Sequence, residues 1–150
     1  MDWGWFLLSF KGRINRAKYW VFFVAAFVAM VLLGGTLIAL SAVSSTVLML
    51  FAVAAVVVYL ALLYAGLAVG AKRLHDRDKS AWWLLVFFVL PGVLSGFSGI
   101  SGSTGLNLLL GLAGLAIGIW GFVELGCLGG TVGPNQYGPD PILETAARTR

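Results

Sequence analysis

Residues 72–79, KRLHDRDK, set four cations, two carboxylates and the only histidine of the chain into eight consecutive positions. These are the residue types of acid–base work and of phosphate binding. His75 beside Asp76 would be the base, and Arg73 with Arg77 a guanidinium pair for a lipid phosphate. The spacing argues against the catalytic half, because sequence neighbours on a helix do not face each other. In a charged loop a lone histidine is read as structural. Asp76 and Asp78, set among Lys72, Arg73, Arg77 and Lys79, are expected to form local ion pairs, with Asp78 or Ser80 capping the helix that follows. Elsewhere there is no Ser/His/Asp set, no metal-ligand spacing and no glycine-rich phosphate loop after a strand. Cys127 is the only cysteine, so no intrachain disulfide and no Cys-rich metal site is possible. No catalytic, cofactor-binding or metal-binding residue is expected, and no cofactor and no nucleic-acid partner.

The elements that must position this cluster are set by composition. Hydrophobic residues make up 60% of the chain and charged residues 11%, against about 45–50% and about 25% in soluble domains. That is too little polar surface to cover a water-soluble core. From Tyr19 to Ala71 there are 53 residues without a charge, and from Ser80 to Val123 another 44. A helix crossing a hydrocarbon layer of about 30 Å needs roughly 20 apolar residues, so each run holds two crossings and a turn. The expected fold is an all-α integral membrane protein of four transmembrane helices, arranged as two hairpins over about 19–40, 46–71, 81–100 and 106–128. Ser41–Thr46 is read as a polar turn, and the Gly/Ser-rich Ser95–Gly105 as a loop or frayed helix end. Residues 1–18 form an interfacial N-terminal segment, 19–128 the transmembrane domain and 129–150 a cytoplasmic tail. MDWGWFLLSFKGR places its apolar stretch before its basic residues, the reverse of a secretory signal, so no cleavable leader is expected.

Orientation follows the cations. Lys11, Arg13, Arg16 and Lys18 precede the first helix, Lys72, Arg73, Arg77 and Lys79 lie between the second and third, and Arg148 and Arg150 end the tail. With four crossings these share one face, and the opposite loops carry no charge, so both termini are expected in the cytoplasm. Trp20, Trp82 and Trp83 follow the basic clusters at the depth that amphipathic rings prefer. In the fourth helix Gly111, Gly114, Gly118 and Gly121 fall on one face and mark a seam for close helix packing, within the chain or between copies. Pro91-Gly92 interrupts the third helix and is expected to kink or end it. Glu124, one turn from the end of the fourth helix, is expected to pair with one of Arg13, Arg16, Arg73 or Arg77.

Three stretches, FKGRINRAKYW (Phe10–Trp20), AKRLHDRDKSAWW (Ala71–Trp83) and GPNQYGPDP (Gly133–Pro141), together resemble the landmarks of the domain-of-unknown-function-805 family, small bacterial inner-membrane proteins of the YhaH/YhaI type. The resemblance covers essentially the whole chain. It implies four helices, a bacterial inner membrane and a cytoplasmic motif face, and transfers no catalytic residue. It directs attention to Gly12, Arg13, Arg16, Trp20, Arg73, His75, Asp76, Ser80, Trp82, Asn135, Tyr137, Gly138, Asp140 and Pro141. Lys72 stands where the family often has Arg, which weakens a bidentate phosphate clamp there. The expectation is one polar cap built from Arg13, Arg16, Arg73, His75, Asp76, Arg77, Glu124, Asn135, Tyr137 and Asp140, with the last three folded beneath the elbow and Asp140 or Glu124 neutralising some of the arginines. A non-enzymatic membrane module or accessory subunit fits best, its cap binding anionic lipid headgroups or a membrane-protein partner. A small oligomeric channel or transporter comes second, and a lipid-modifying enzyme third.

Overall fold

The structure, a computed structural model, describes residues 2–42, 44–100 and 102–143, the side chains of 98–100 excepted. Five α-helices follow in order: α1 (Trp3–Leu8), α2 (Arg16–Ser41), α3 (Ser45–Asp76), α4 (Leu90–Ile100) and α5 (Thr104–Phe122). A π-helical turn, Leu85–Val89, leads into α4, and a second, Val123–Cys127, ends α5. No strand occurs among the described residues.

Among the described residues three helices are long and apolar enough to cross a membrane: Arg16–Ser41, Ser45–Asp76 and Thr104–Cys127. At 1.5 Å per residue they reach about 39, 48 and 36 Å, against a hydrocarbon layer of about 30 Å. The apolar helix Leu85–Phe97 is shorter. Side chains such as Phe27, Leu32, Leu50 and Leu108 point outward. Lipid accepts such a surface, and water does not.

The chain divides into two compact units, residues 1–10 with 20–69 and residues 11–19 with 70–150. In the first, Asp2 caps α1 by accepting the Trp5 amide at 3.1 Å. Phe6 turns inward, edge-on to Phe22 of α2. Phe10 meets the Tyr64 ring of α3 edge-on, and the Tyr64 hydroxyl donates to the Leu8 carbonyl at 3.1 Å. The aromatic-rich N-terminal stretch is thus a short packed helix whose outer face presents Trp3 and Leu8.

Three features set the helix boundaries of the second unit, and the first departs from expectation. First, α3 does not stop at Ala71 but runs through KRLHD to Asp76, so Lys72, Arg73, His75 and Asp76 are helical rather than part of a loop. It ends where Asp78 adopts a left-handed φ of 56° and the Lys79 and Asp78 amides return to the Leu74 and His75 carbonyls. Asp78 occupies the position usually held by glycine in such a stop. The cap before α4 comes from Ser80, whose hydroxyl faces the Trp82 amide at 3.4 Å. Second, Pro91 does not end its helix. The π turn of residues 85–89 precedes it, α4 continues to Ile100, and widening just ahead of a proline accommodates its ring and missing donor. Third, most of the Gly/Ser-rich stretch read as a loop or frayed helix end is helical: α4 reaches Ile100 and α5 starts at Thr104, capped by the Ser103 side chain. A helix satisfies its own backbone, which in lipid outweighs the roughly 1 kcal/mol propensity penalty of each glycine. Ser95 takes the same solution, donating its hydroxyl to the Pro91 carbonyl at 2.9 Å.

Within this unit α4 and its π turn lie against α5. Phe87, Trp83 and Trp120 form an aromatic cluster with centroids 5.2–5.8 Å apart. Leu84 packs on Gly70, where an added Cβ would stand 3.0 Å from it.

Candidate functional site

A helix end in lipid leaves carbonyls without donors, and the π turn that closes α5 adds to them. The chain offers no cation in that last turn. The donors come instead from distant arginines. Arg73 Nε donates to the Leu125 carbonyl at 2.8 Å and its Nη2 to that of Leu128. Arg77 Nη1 reaches Gly129 O at 2.6 Å, and Arg16 Nη1 approaches Cys127 O at 3.4 Å. Arg13 takes the next stretch, donating to Thr131 O at 2.7 Å, Gly133 O at 2.7 Å and Gly138 O at 3.3 Å. Arginine suits this work, since its planar fork carries several donors and stays charged.

Asp76 balances two of these cations. Its Oδ1 accepts from Arg13 at 3.1 and 3.2 Å and its Oδ2 from Arg73 at 2.5 Å. The Arg13, Arg73 and Asp76 side chains are 1%, 0% and 4% exposed, so the triad is closed to solvent. The Asp76 carbonyl accepts from both the amide and the hydroxyl of Thr131. The tail crosses so close to the carboxylate that a Cβ at Gly130 would overlap it.

His75 does not act on Asp76. Its ring lies flat on Tyr137, centroids 3.9 Å apart at 4°, with Nδ1 3.2 Å from the Gly12 carbonyl. The Asn135 amide group donates to His75 O at 2.9 Å and to the Thr131 hydroxyl at 3.0 Å, while its oxygen accepts the Tyr137 amide. Reciprocal 3.1 Å bonds between Asn135 and Gly138 close this turn. Among the described residues Asp140 bonds to backbone amides rather than to an arginine, and the Arg13 charge adds a smaller pull on its carboxylate. Its carboxylate accepts the Ile142 and Gly133 amides, which hold its pKa below the ordinary carboxylate range. Glu124 accepts from Arg77 at 3.0 Å and from Lys79 at 3.1 Å, and the Lys79 ammonium lies 5.3 Å from the Trp83 ring centroid and 5.9 Å from that of Trp120.

The ten residues read from the sequence as one cap therefore lie in this unit and in one connected network. Sequence reasoning missed Lys79, Gly130, Thr131 and the carbonyls of residues 125–133. Backbone acceptors carry no residue-type signal, and only the GG pair before Thr131 hinted at a close approach. The glycine seam divides. Gly121 faces Phe87, where a Cβ would stand 3.0 Å away, and Gly114 faces Pro91 at 3.8 Å. Gly111 and Gly118 have nothing within 4 Å. Among the described residues no three His, Cys, Asp or Glu side chains group as metal ligands, and no buried side-chain nitrogen or oxygen lacks a partner. Arg148 and Arg150 lie outside the described residues.

Comparison with known proteins agrees with the motif reading. The chain is 29% identical to the inner membrane protein YhaH of Escherichia coli (strain K12) over 149 residues, covering 96% of this chain and 99% of that one. It is 31% identical over 142 residues to the uncharacterized protein YiiR of the same strain, covering 89% and 86%, and 29% identical over 135 residues to the inner membrane protein YhaI, again 89% and 86%. No solved structure matches. The family described as "Protein of unknown function (DUF805)" matches residues 7–139, a range that takes in α2 to α5 and nearly all of the polar network. The chain belongs to this domain-of-unknown-function-805 family.

Proposed function

We propose that the chain is a non-enzymatic module of the bacterial inner membrane, with a cationic cytoplasmic cap that binds anionic lipid headgroups or a protein partner. It crosses four times as two hairpins over residues 19–128, after an interfacial N-terminal segment and before a cytoplasmic tail. The names of YhaH and YhaI support the location. The confinement of all ten cations to the termini and the middle segment supports the orientation. The third crossing is the helix through residues 85–100, about 24 Å long, which needs local thinning of the bilayer or snorkelling flanks.

One observation carries the non-enzymatic reading. The acid–base groups His75, Asp76 and Glu124 are engaged in holding chain segments together: Asp76 by two arginines, Glu124 by Arg77 and Lys79, and His75 by the Tyr137 ring and the Gly12 carbonyl. The second unit carries eight cations and four carboxylates among its described residues, and that positive surplus favours an anionic ligand. Native mass spectrometry of the gently extracted protein tests this. A monomer that retains anionic lipid agrees with it, and a monomer without lipid leaves the protein partner. A discrete oligomer points to the channel or transporter reading, which the open Gly111 and Gly118 positions favour.

A further inference from the structure

Resting on the headgroup-binding reading above, we propose that the lipid phosphate binds at the Arg77–Lys79 rim beside Trp82, and not at the buried arginines. Arg13 and Arg73 are the obvious phosphate ligands by residue type, but both are closed off and their N–H groups donate to Asp76 and to tail carbonyls. Arg77 and Lys79 differ in three respects. Their side chains are 24% and 29% exposed. Among the described residues Arg77 uses one N–H on Glu124 and one on Gly129, and Lys79 uses one on Glu124, so most donors of both groups remain unfilled.

The third difference is convergence. Both cations close on one oxygen, Glu124 Oε1, at 3.0 and 3.1 Å, so the rim already holds an oxyanion from its inner side. Glu124 itself is 5% exposed and leaves the outer side open. Lys79 rests against Trp83 and Trp120, and Trp82 is 76% exposed next to them. Indole rings mark the headgroup level of a bilayer, where a phosphate approaches an ammonium and a guanidinium held by aromatic walls. Arg16 is also exposed, but among the described residues its one bond is a long one to the Cys127 carbonyl, and it shares no carboxylate with a second cation.

The test is lipid titration of the full-length protein in a non-ionic detergent by native mass spectrometry, with phosphatidylglycerol against phosphatidylcholine. Wild type should prefer phosphatidylglycerol, and Lys79→Gln and Arg77→Gln should each weaken it by about fivefold, the effect of one cation near a headgroup. Arg16→Gln with Lys18→Gln should leave the preference in place. Glu124→Gln removes the internal competitor and should tighten phosphatidylglycerol. Thermal midpoints without lipid report folding. If Arg77→Gln unfolds the cap, Lys79→Gln and Glu124→Gln decide, by opposite shifts. A preference that survives Lys79→Gln but is lost in the Arg16/Lys18 pair overturns this site and leaves the headgroup reading standing. Absence of any preference in wild type overturns both.

Discussion

Asp76 shows at the scale of single residues why a buried charge in this protein is structural. Removing its carboxylate leaves the buried Arg13 and Arg73 uncompensated, a loss of about 3–5 kcal/mol. Asp76→Ala should therefore lower the thermal midpoint steeply, and Arg13→Ala added to it should cost less than its separate effect, by about 1–3 kcal/mol. Gly130 offers a finer test. A methyl group there meets the Asp76 carboxylate, whereas one at Gly129 meets nothing, so Gly130→Ala should destabilise by about 1–3 kcal/mol and Gly129→Ala by under about 0.5. Asp140 supplies a pH dependence. Its pKa is lowered by the Ile142 and Gly133 amides, so its contribution is complete above the ordinary carboxylate pKa and disappears as pH falls through the lowered one. Protection of the Gly133 and Ile142 amides against hydrogen exchange, relative to the intrinsic rate at each pH, should fall on acidification into that window, and in Asp140→Asn it should be low already at neutral pH.

At the scale of elements, hydrophobic length placed the helices and packing chose their faces. Gly114 and Gly121 are seven residues apart and meet Pro91 and Phe87, while Gly111 and Gly118, offset by about 40–60° around α5, face outward. Gly121→Ala should cost about 1–3 kcal/mol, because the Phe87 ring in its aromatic cluster must shift. Gly118→Ala should be neutral or slightly stabilising in the monomer through helix propensity. Loss of an oligomer on Gly118→Ala would reveal a partner at that stripe. The same comparison shows what pattern reading lacks: four glycines at helical spacing look equivalent until a neighbour with a ring is placed on one side of them.

At the scale of the whole molecule, the arrangement to check is topology. Cysteine substitutions at exposed positions such as Lys11, Val132 and Leu143, in a chain lacking Cys127, should react with membrane-impermeant maleimide only after the inner membrane is opened, and Ser103→Cys should react in intact spheroplasts. Reaction of Val132→Cys in intact spheroplasts would place the tail outside and remove the cytoplasmic placement of the cap. The eight cations of the second unit would then lie on the wrong side for the positive-inside rule.

Hydrophobic length and charge placement alone determined where the spanning helices lie and which residues gather at the polar end, because lipid excludes unsatisfied backbone and charge from 53- and 44-residue stretches. The three motifs were legible as a group for the same reason. Which atoms they join was decided only in three dimensions. Arg73 was open to a phosphate, to Glu124 or to Asp140, and instead serves Asp76 and the carbonyls of Leu125 and Leu128. Those carbonyls are open as acceptors because the helix ends there in a π turn, and every residue has a carbonyl, so no letter of the sequence marks them. The helical extension of α3 through Asp76 was likewise set by tertiary bonds: Thr131 and Asn135 grip the carbonyls of its last turn, and an aspartate in the left-handed conformation stops it where no glycine was available.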